Sequence, residues 1–260
     1  MIQLDTGLTS AERPTWLLED EPTGDPPPSG PLDPNRYEDL GLLGIGGMGE
    51  VRQVRDRHLR RVLAMKILQE ELVGRPTAIS RFVEEAQTTA QLEHPGIVPV
   101  HEIGRLADGR VFFTMKEVKG RTLRQVLDRA EQRVGLRRLV SVLHTVCGAV
   151  AYAHSRGVIH RDLKPENVMI GAFGEVLVPD WGISKVQGST DDAKLTPVIS
   201  GRTGDHATRM GSIAGTPRYM APEQARGDTG SMGPWTDVWA LGAMLDELLA
   251  TVPPEAARAR

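Results

Sequence analysis

Residues 158–170, VIHRDLKPENVMI, constrain the fold more than any other part of this 260-residue chain. The apolar runs at the two ends have the composition of buried strands, while His160, Asp162 and Asn167 stand among polar residues between them. A buried polar group without a hydrogen-bond partner costs free energy, so stability alone disfavours such a run. We therefore expect a polar loop that is held between buried strands for a chemical reason.

The order of the apolar patterns predicts an α+β fold with two lobes. Residues 37–68 alternate as strand, glycine turn, strand, turn and strand, and residues 77–92 have the spacing of an amphipathic helix. Residues 97–118 predict a strand pair, and the pattern after residue 120 is mainly helical. A small antiparallel sheet with one helix should therefore precede a larger, mainly helical lobe.

Composition separates residues 1–35 from the rest, because they hold seven acidic residues, one arginine and seven of the 18 prolines. Such a composition predicts a disordered arm. We expect a folded domain over residues 36–252, divided into lobes 36–118 and 119–252, and a tail over residues 253–260.

The net charge of −3 gives no case for binding nucleic acid. The single cysteine, Cys147, excludes a disulfide within the chain, and its apolar neighbours predict that it packs in the core. The N-terminal residues lack the apolar run of a secretory signal, and no run approaches the ~18–20 residues that cross a bilayer. We expect no membrane segment in this chain and a cytoplasmic location.

Four glycines, Gly44, Gly46, Gly47 and Gly49, lie between two predicted strands. Glycine lets backbone N–H groups approach phosphate oxygens closely. A dinucleotide-binding turn would lead into a helix, and because a strand follows here we reject that interpretation. A glycine-rich hairpin without a ligand remains the alternative for this motif alone.

Lys66 lies in the apolar strand pattern LAMKIL. Buried lysines are seldom unpaired, and the predicted helix offers Glu84 and Glu85. Glu85 shares the inner face of the helix with Phe82 and Ala86, so we choose it as the partner. The alternative is a lysine whose ammonium reaches water along the protein surface.

Asp162, Lys164 and Asn167 have the spacing D-x-K-x-x-N. A carboxylate can accept a hydroxyl proton, an ammonium can neutralise a phosphoryl group, and an amide oxygen can bind a hard cation. Asp180 follows the predicted strand EVLVP and is a second candidate ligand for Mg²⁺.

From about residue 37 to residue 249 the sequence resembles a protein kinase, and more closely the eukaryotic-like serine/threonine kinases of bacteria. The resemblance rests on the glycine loop GIGGMGEV, AMK in place of AIK, HRDLKPEN, DWG in place of DFG, and APE at residues 221–223. It implies transfer of phosphate from ATP, with Mg²⁺, to serine and threonine side chains of proteins. Self-association for autophosphorylation is a further expectation.

The resemblance also implies roles for individual residues. Asp162 would accept the proton of the substrate hydroxyl, Lys164 would steady the γ-phosphate, and Asn167 and Asp180 would hold Mg²⁺. Asp237 matches the aspartate that holds the backbone of the catalytic loop. The implied ATP contacts, among which Lys66 pairs with Glu85, are Leu43, Gly44, Ile45, Gly46, Gly47, Met48, Gly49, Val51, Ala64, Lys66, Glu85, Met115, Glu117 and Val118.

Regulation is implied at Arg161, the position that usually binds a phosphate on the activation loop. Thr208 is our first candidate for that phosphorylation, followed by Ser212 and Thr203. At each of the three, an ordinary loop hydroxyl is the alternative.

The kinase family continues beyond this sequence with several helices, one of which carries an arginine that pairs with the residue matching Glu223. We therefore expect a C-terminally truncated catalytic domain whose larger lobe exposes apolar surface. Two functions stay open: an active serine/threonine kinase, or a catalytically impaired nucleotide-binding pseudokinase or interaction module.

Overall fold

The computed structural model describes residues 35–129, 135–181, 185–186 and 217–251, which belong to one compact unit, Pro34–Arg260. Five antiparallel strands form its main sheet in the order β1-β2-β3-β5-β4. Helix α1 lies between β3 and β4 in the chain. The bounds are β1 (Tyr37–Ile45), β2 (Gly49–Asp56), β3 (Arg61–Leu68), α1 (Pro76–Ala90), β4 (Val100–Arg105) and β5 (Val111–Lys116).

The second part of the chain is mainly helical and carries two small sheets, β6-β8-β9 and β10-β7. The polar loop of residues 160–167 lies between β7 and β8, as its flanking apolar runs predict. The bounds are β6 (Gly120–Thr122), α2 (Leu123–Arg129), α3 (Leu136–Ser155), β7 (Val158–Ile159), β8 (Met169–Gly171), β9 (Val176–Leu177), β10 (Lys185–Val186), α4 (Pro222–Ala225) and α5 (Pro234–Thr251).

The α+β prediction is confirmed. Helix α1, predicted over residues 77–92, is observed over Pro76–Ala90, and the strand pair predicted from residue 97 begins at Val100. Proline occupies the first turn of α1, where its missing N–H has no intrahelical partner to lose. Helix α3 ends before Gly157, whose φ of 76° is in the left-handed region that glycine adopts without strain.

Each part has its own apolar core. In the sheet part, Phe82 of α1 packs on Phe113 of β5 with ring centroids 5.1 Å apart. In the helical part, α3, α5 and the short strands bury a larger cluster that includes the fully buried Trp181. The polar loop is thereby anchored at both ends in the larger core.

Cys147 is exposed, so the prediction that it packs in the core is wrong. Helix α3 buries Val146, Ala149 and Val150 instead. Each residue turns a helix by about 100°, which places Cys147 beside the buried stripe although its sequence neighbours are apolar.

Helix α5 buries one side and exposes apolar residues on the other, as expected for the larger lobe. Met244 and Leu248 are buried, whereas five large apolar side chains are exposed, namely Trp235, Val238, Trp239, Leu245 and Leu249. Glu223 accepts a hydrogen bond from the Thr236 hydroxyl at 2.7 Å. Within the described ranges no helix is long and apolar enough to cross a membrane.

Replacing Phe82 by alanine should lower the free energy of unfolding by about 3–5 kcal/mol, because it removes a fully buried ring from the core between α1 and the sheet. Phe173→Ala is the matched control, since Phe173 is 99% exposed and its loss should change stability by less than about 0.5 kcal/mol. Urea denaturation measures both. Equal losses in the two variants would contradict the packing described.

Candidate active site

Lys66 joins three elements of the structure. Its Nζ donates hydrogen bonds to Glu85 Oε1 of α1 at 2.5 Å and to Asp180 Oδ1, beyond β9, at 2.7 Å. Lys66 is 8% exposed and Glu85 is 3% exposed. The structure thus contains the pairing with Glu85 chosen from the helical face, and it adds Asp180 as a second carboxylate on the same ammonium.

Burial and ion pairing compete at these three charges. Burial alone would lower the pKa of Lys66, but the carboxylates of Glu85 and Asp180 outweigh it and raise that pKa. Burial raises the pKa of Glu85 in spite of the nearby ammonium. At Asp180 desolvation is the largest influence and opposes the charge, yet attraction to Lys66 lowers the pKa below its usual value. Lys66 and Asp180 are therefore both charged near neutral pH.

The glycine turn between β1 and β2 is closed by a hydrogen bond from the Gly46 N–H to the Gly49 carbonyl oxygen at 2.8 Å. A Cβ at Gly49 would lie 2.4 Å from the carbonyl oxygen of Ile67, so glycine is required there. Met48 packs on the core of α1 and anchors the turn. The other predicted contacts in this region, Leu43, Gly44, Ile45 and Gly47, lie in β1 or in the turn itself.

One face of the sheet carries four of the predicted ATP contacts. Val51 pairs with Lys66, and Ala64 pairs with Met115. Lys66 and Ala64 are two residues apart on β3 and therefore point to the same side. Register thus brings Val51, Ala64, Lys66 and Met115 together on the side where α1 packs.

Glu117 and Val118 follow β5 directly. The Gln53 amide donates a hydrogen bond to Glu117 Oε1 at 2.5 Å, which ties β2 to this connecting segment. Sequence reasoning missed Gln53, although its position two residues after Val51 places it on the same face. Its partner could not be identified before the register of the strands was known.

The polar loop brings Asp162, Lys164 and Asn167 into direct contact. Lys164 Nζ donates to Asp162 Oδ2 at 2.7 Å, and the Asn167 amide nitrogen donates to the Asp162 carbonyl oxygen at 2.8 Å. Because that amide nitrogen is engaged, the Asn167 amide oxygen is the group left to accept or to bind a cation. The spacing D-x-K-x-x-N therefore describes one connected group.

Asp237 of α5 holds the start of the polar loop in place. It is fully buried and accepts hydrogen bonds from the backbone N–H groups of His160 and Arg161, both at 2.8 Å. His154 Nε2 lies 2.7 Å from the same carboxylate. Arg161 has a φ of 67°, a left-handed conformation that a non-glycine residue adopts only under constraint. Sequence reasoning missed His154, because a lone histidine near a helix end carries no distinguishing pattern.

The indole N–H of the buried Trp181 donates a hydrogen bond to the Val178 carbonyl oxygen at 3.3 Å. Its ring packs against that of His160 with centroids 4.6 Å apart. Trp181 thus packs against the start of the polar loop. Asp180 is the residue directly before Trp181 in the chain, so this packing also holds Asp180 near the loop.

A divalent cation fits the oxygen donors at this site. The Asp180 carboxylate and the Asn167 amide oxygen are hard ligands of the kind that such cations prefer. Across the described ranges, histidine, cysteine and acidic side chains form no cluster of three that could hold a metal by itself. A cation here would therefore take further ligands from water or from a bound phosphate.

Arg161 lies near charges of α1 as well as near Asp237. Burial lowers its pKa, and the positive charge of Arg81 adds to this effect, while Asp237 and Glu84 oppose it. Its proposed partners Thr203, Thr208 and Ser212 lie outside the described residues.

Comparison with known proteins assigns residues 37–259 to the family described as the protein kinase domain. The chain is 38% identical over 237 residues to the serine/threonine-protein kinase PknD of Protochlamydia amoebophila, which covers 86% of this chain and 24% of that relative. The PknD kinases of Chlamydia caviae and Chlamydia felis are 38% and 39% identical over 227 residues, 82% of this chain and 24% of each relative. The chain spans about a quarter of the length of these relatives.

Replacing Asp237 by alanine should lower the free energy of unfolding by about 2–4 kcal/mol, because two backbone N–H groups beneath the loop lose their acceptor. Asp246→Ala on the same helix is the control and should change stability by less than about 0.5 kcal/mol, since Asp246 is exposed. Both are measured by urea denaturation, and a loss no larger than the control's would show that Asp237 does not hold the loop.

Proposed function

Because the chain belongs to the protein kinase family, we propose that it transfers the γ-phosphate of ATP to serine and threonine hydroxyls of proteins. The observation that carries this proposal is the ammonium of Lys66, bonded at once to Glu85 and to Asp180. The family implies ATP and a divalent metal, and we propose that the metal is Mg²⁺ because the available donors are oxygens. The proposal concerns this chain alone. It does not extend to the other three quarters of the relatives' length, which the match does not cover.

Lys66 binds the phosphates in this account. Its charge is held in place by Glu85 in a largely buried position, so its electrostatic attraction for phosphate oxygens is stronger than in water. In this proposal the glycine turn offers backbone N–H groups to the phosphates, and the connecting segment with Glu117 and Val118, directly after β5, contacts the adenine. Mg²⁺, when bound, neutralises charge on the phosphate oxygens, and Asn167 and Asp180 would hold it.

The transfer step uses Asp162 and Lys164. The Asp162 carboxylate orients the incoming serine or threonine hydroxyl and accepts its proton. The Lys164 ammonium, 2.7 Å from that carboxylate, is placed to neutralise charge on the moving phosphoryl group. Because Asp237 holds the backbone of the loop, both groups keep their positions before the substrate arrives.

A catalytically impaired nucleotide-binding or interaction module is the second candidate. The exposed apolar face of α5 is the observation in its favour. The comparison does not favour it, because the relatives are named serine/threonine-protein kinases. Protein substrates, self-association for autophosphorylation, the lack of a nucleic-acid ligand and a cytoplasmic location remain predictions.

Two substitutions separate the roles of the carboxylates. Asp162→Asn should lower phosphate transfer from labelled ATP at least about 100-fold and leave nucleotide binding unchanged, because asparagine cannot take up the proton. Asp180→Asn should weaken Mg²⁺-dependent nucleotide binding at least about tenfold, because it removes a charged ligand.

Asp246→Asn, a surface change of the same kind, is the control for both variants. Filter binding of phosphoprotein and calorimetry of nucleotide binding provide the two readouts. Equal losses of binding in the two site variants would contradict this division of roles, and absence of transfer by the unaltered chain would favour the impaired module.

We further propose that a phosphate on Thr208, or else on Ser212 or Thr203, binds Arg161 and thereby raises the rate of phosphate transfer. A phosphate carries about −1.5 to −2 charge, and a guanidinium binds it through two parallel hydrogen bonds. Incubation with ATP and Mg²⁺ should place phosphate on at least one of the three residues, as mapped by mass spectrometry.

Preincubation with ATP should then raise the rate of phosphate transfer less in Thr208→Ala than in the unaltered chain. Ser189→Ala, a control in the same segment, should show the same increase as the unaltered chain. The switch does not exist if an active chain stays unmodified at all three residues. It is also excluded if Arg161→Ala gains rate on preincubation as the unaltered chain does.

A further inference from the structure

Gln69, the first residue after β3, contacts the glycine turn through both its backbone and its side chain. Its backbone N–H donates a hydrogen bond to the Met48 carbonyl oxygen at 3.1 Å. Its side-chain amide donates a second hydrogen bond to the Gly46 carbonyl oxygen at 3.0 Å. One residue outside the turn therefore holds two of the turn's peptide groups.

The side chain of Gln69 lies on the outer face of the sheet, away from α1. Side chains of a strand alternate between the two faces. On β3, Leu68 packs with the core of α1, whereas Ile67 belongs to a separate apolar cluster on the opposite face. Gln69 follows Ile67 by two residues and continues the outer row. The Gly46 carbonyl that it binds therefore points toward the outer face.

The orientation of the Gly46 carbonyl decides where one N–H group of the turn points. The C=O and N–H of a trans peptide group point in opposite directions. The N–H of Gly47 belongs to the same peptide group as the Gly46 carbonyl, so it points toward the inner face, which carries Lys66. An N–H group directed there is placed to donate to a phosphate oxygen of a nucleotide.

Glycines give the turn little preference for one conformation, because they lose more conformational freedom on ordering than other residues. A contact that holds the turn before the nucleotide arrives removes part of that cost from binding. We infer that Gln69 is a positioning residue, which directs the Gly47 N–H toward the phosphates and so raises the affinity for ATP. This inference rests on the proposed function, in which the glycine turn binds the phosphates of ATP.

A purely structural tie between β3 and the turn would affect only the stability of the fold when Gln69 is replaced. The positioning role predicts a loss of affinity that is confined to ligands with phosphates. Adenosine has no phosphate, so its affinity should not depend on Gln69.

Calorimetry of ATP with Mg²⁺ and of adenosine separates these two roles. Gln69→Met keeps the length of the side chain but has no donor, and it should weaken the binding of ATP with Mg²⁺ at least about threefold, as the loss of one hydrogen bond implies. Its affinity for adenosine should stay within about twofold of that of the unaltered chain. Gln69→Asn keeps the amide but is one methylene shorter, and it should show the same pattern because the amide no longer reaches Gly46.

Gln91→Met is the matched control. The Gln91 side chain also donates to a backbone carbonyl oxygen, that of Gln87 at 3.0 Å, but it does so at the end of α1. This variant should bind ATP and adenosine as the unaltered chain does. Urea denaturation shows whether each variant is folded, and if one Gln69 variant is unfolded the other carries the test. Two unfolded Gln69 variants would show a role in stability and overturn the inference.

A kinetic measurement separates this inference from the proposed function. In a chain that transfers phosphate, Gln69→Met should raise the KM for ATP at least about threefold. Transfer by the unaltered chain, with equal ATP affinity in folded Gln69→Met, would overturn the inference and leave the kinase function standing. ATP binding that depends on Gln69 in a chain that transfers no phosphate would refute the kinase function and leave the inference standing. Equal losses of ATP and adenosine affinity in Gln69→Met would overturn the inference, as would an unaltered chain that binds no ATP.

Discussion

The ammonium of Lys66 is the interaction on which the rest of this site depends. A lysine that is 8% exposed can stay charged only because Glu85 and Asp180 lie against it, and these come from α1 and from the segment after β9. The same three charges fix the position of α1 against the sheet and of Asp180 against β3. The ionised carboxylate of Asp180 and the amide oxygen of Asn167 offer the oxygen donors that a divalent cation accompanying a phosphate prefers.

Backbone strain is concentrated around this site. Three non-glycine residues of the described chain have positive φ, and two of them, Arg161 and Asp180, flank the candidate catalytic groups. A left-handed conformation at such residues costs about 1–3 kcal/mol each and persists only where neighbouring contacts enforce it. Asp237 supplies that enforcement by accepting hydrogen bonds from the backbone N–H groups of His160 and Arg161. The buried apolar runs on either side of the loop, noted first in the sequence, provide the rigid support for this conformation.

Local patterns predicted most of the helices and strands. The spacing of apolar residues and the positions of glycines depend only on residues that are close together in the sequence. The partner of Lys66 could also be inferred, since the face of one amphipathic helix decides between Glu84 and Glu85. Contacts between distant elements could not be inferred from such local patterns, and the contact of Asp237 with the polar loop was expected only because of the family resemblance. Arg124 meets Glu166, Tyr219 and Glu247 across separations of 42, 95 and 123 residues, and nothing in the period of any one segment encodes them. The error at Cys147 arose because apolar neighbours in sequence were equated with the buried face of the helix.

The central claim is that the face of the sheet around Lys66, together with the glycine turn, binds a nucleotide phosphate group. Amide hydrogen exchange tests it without requiring catalysis. Saturating ATP and Mg²⁺ should slow exchange in peptides that cover residues 44–51 and 116–119, and leave the β4–β5 turn at residues 106–110 unchanged. Unchanged exchange in the glycine turn of a folded protein, at ATP and Mg²⁺ concentrations in the millimolar range, would contradict the account.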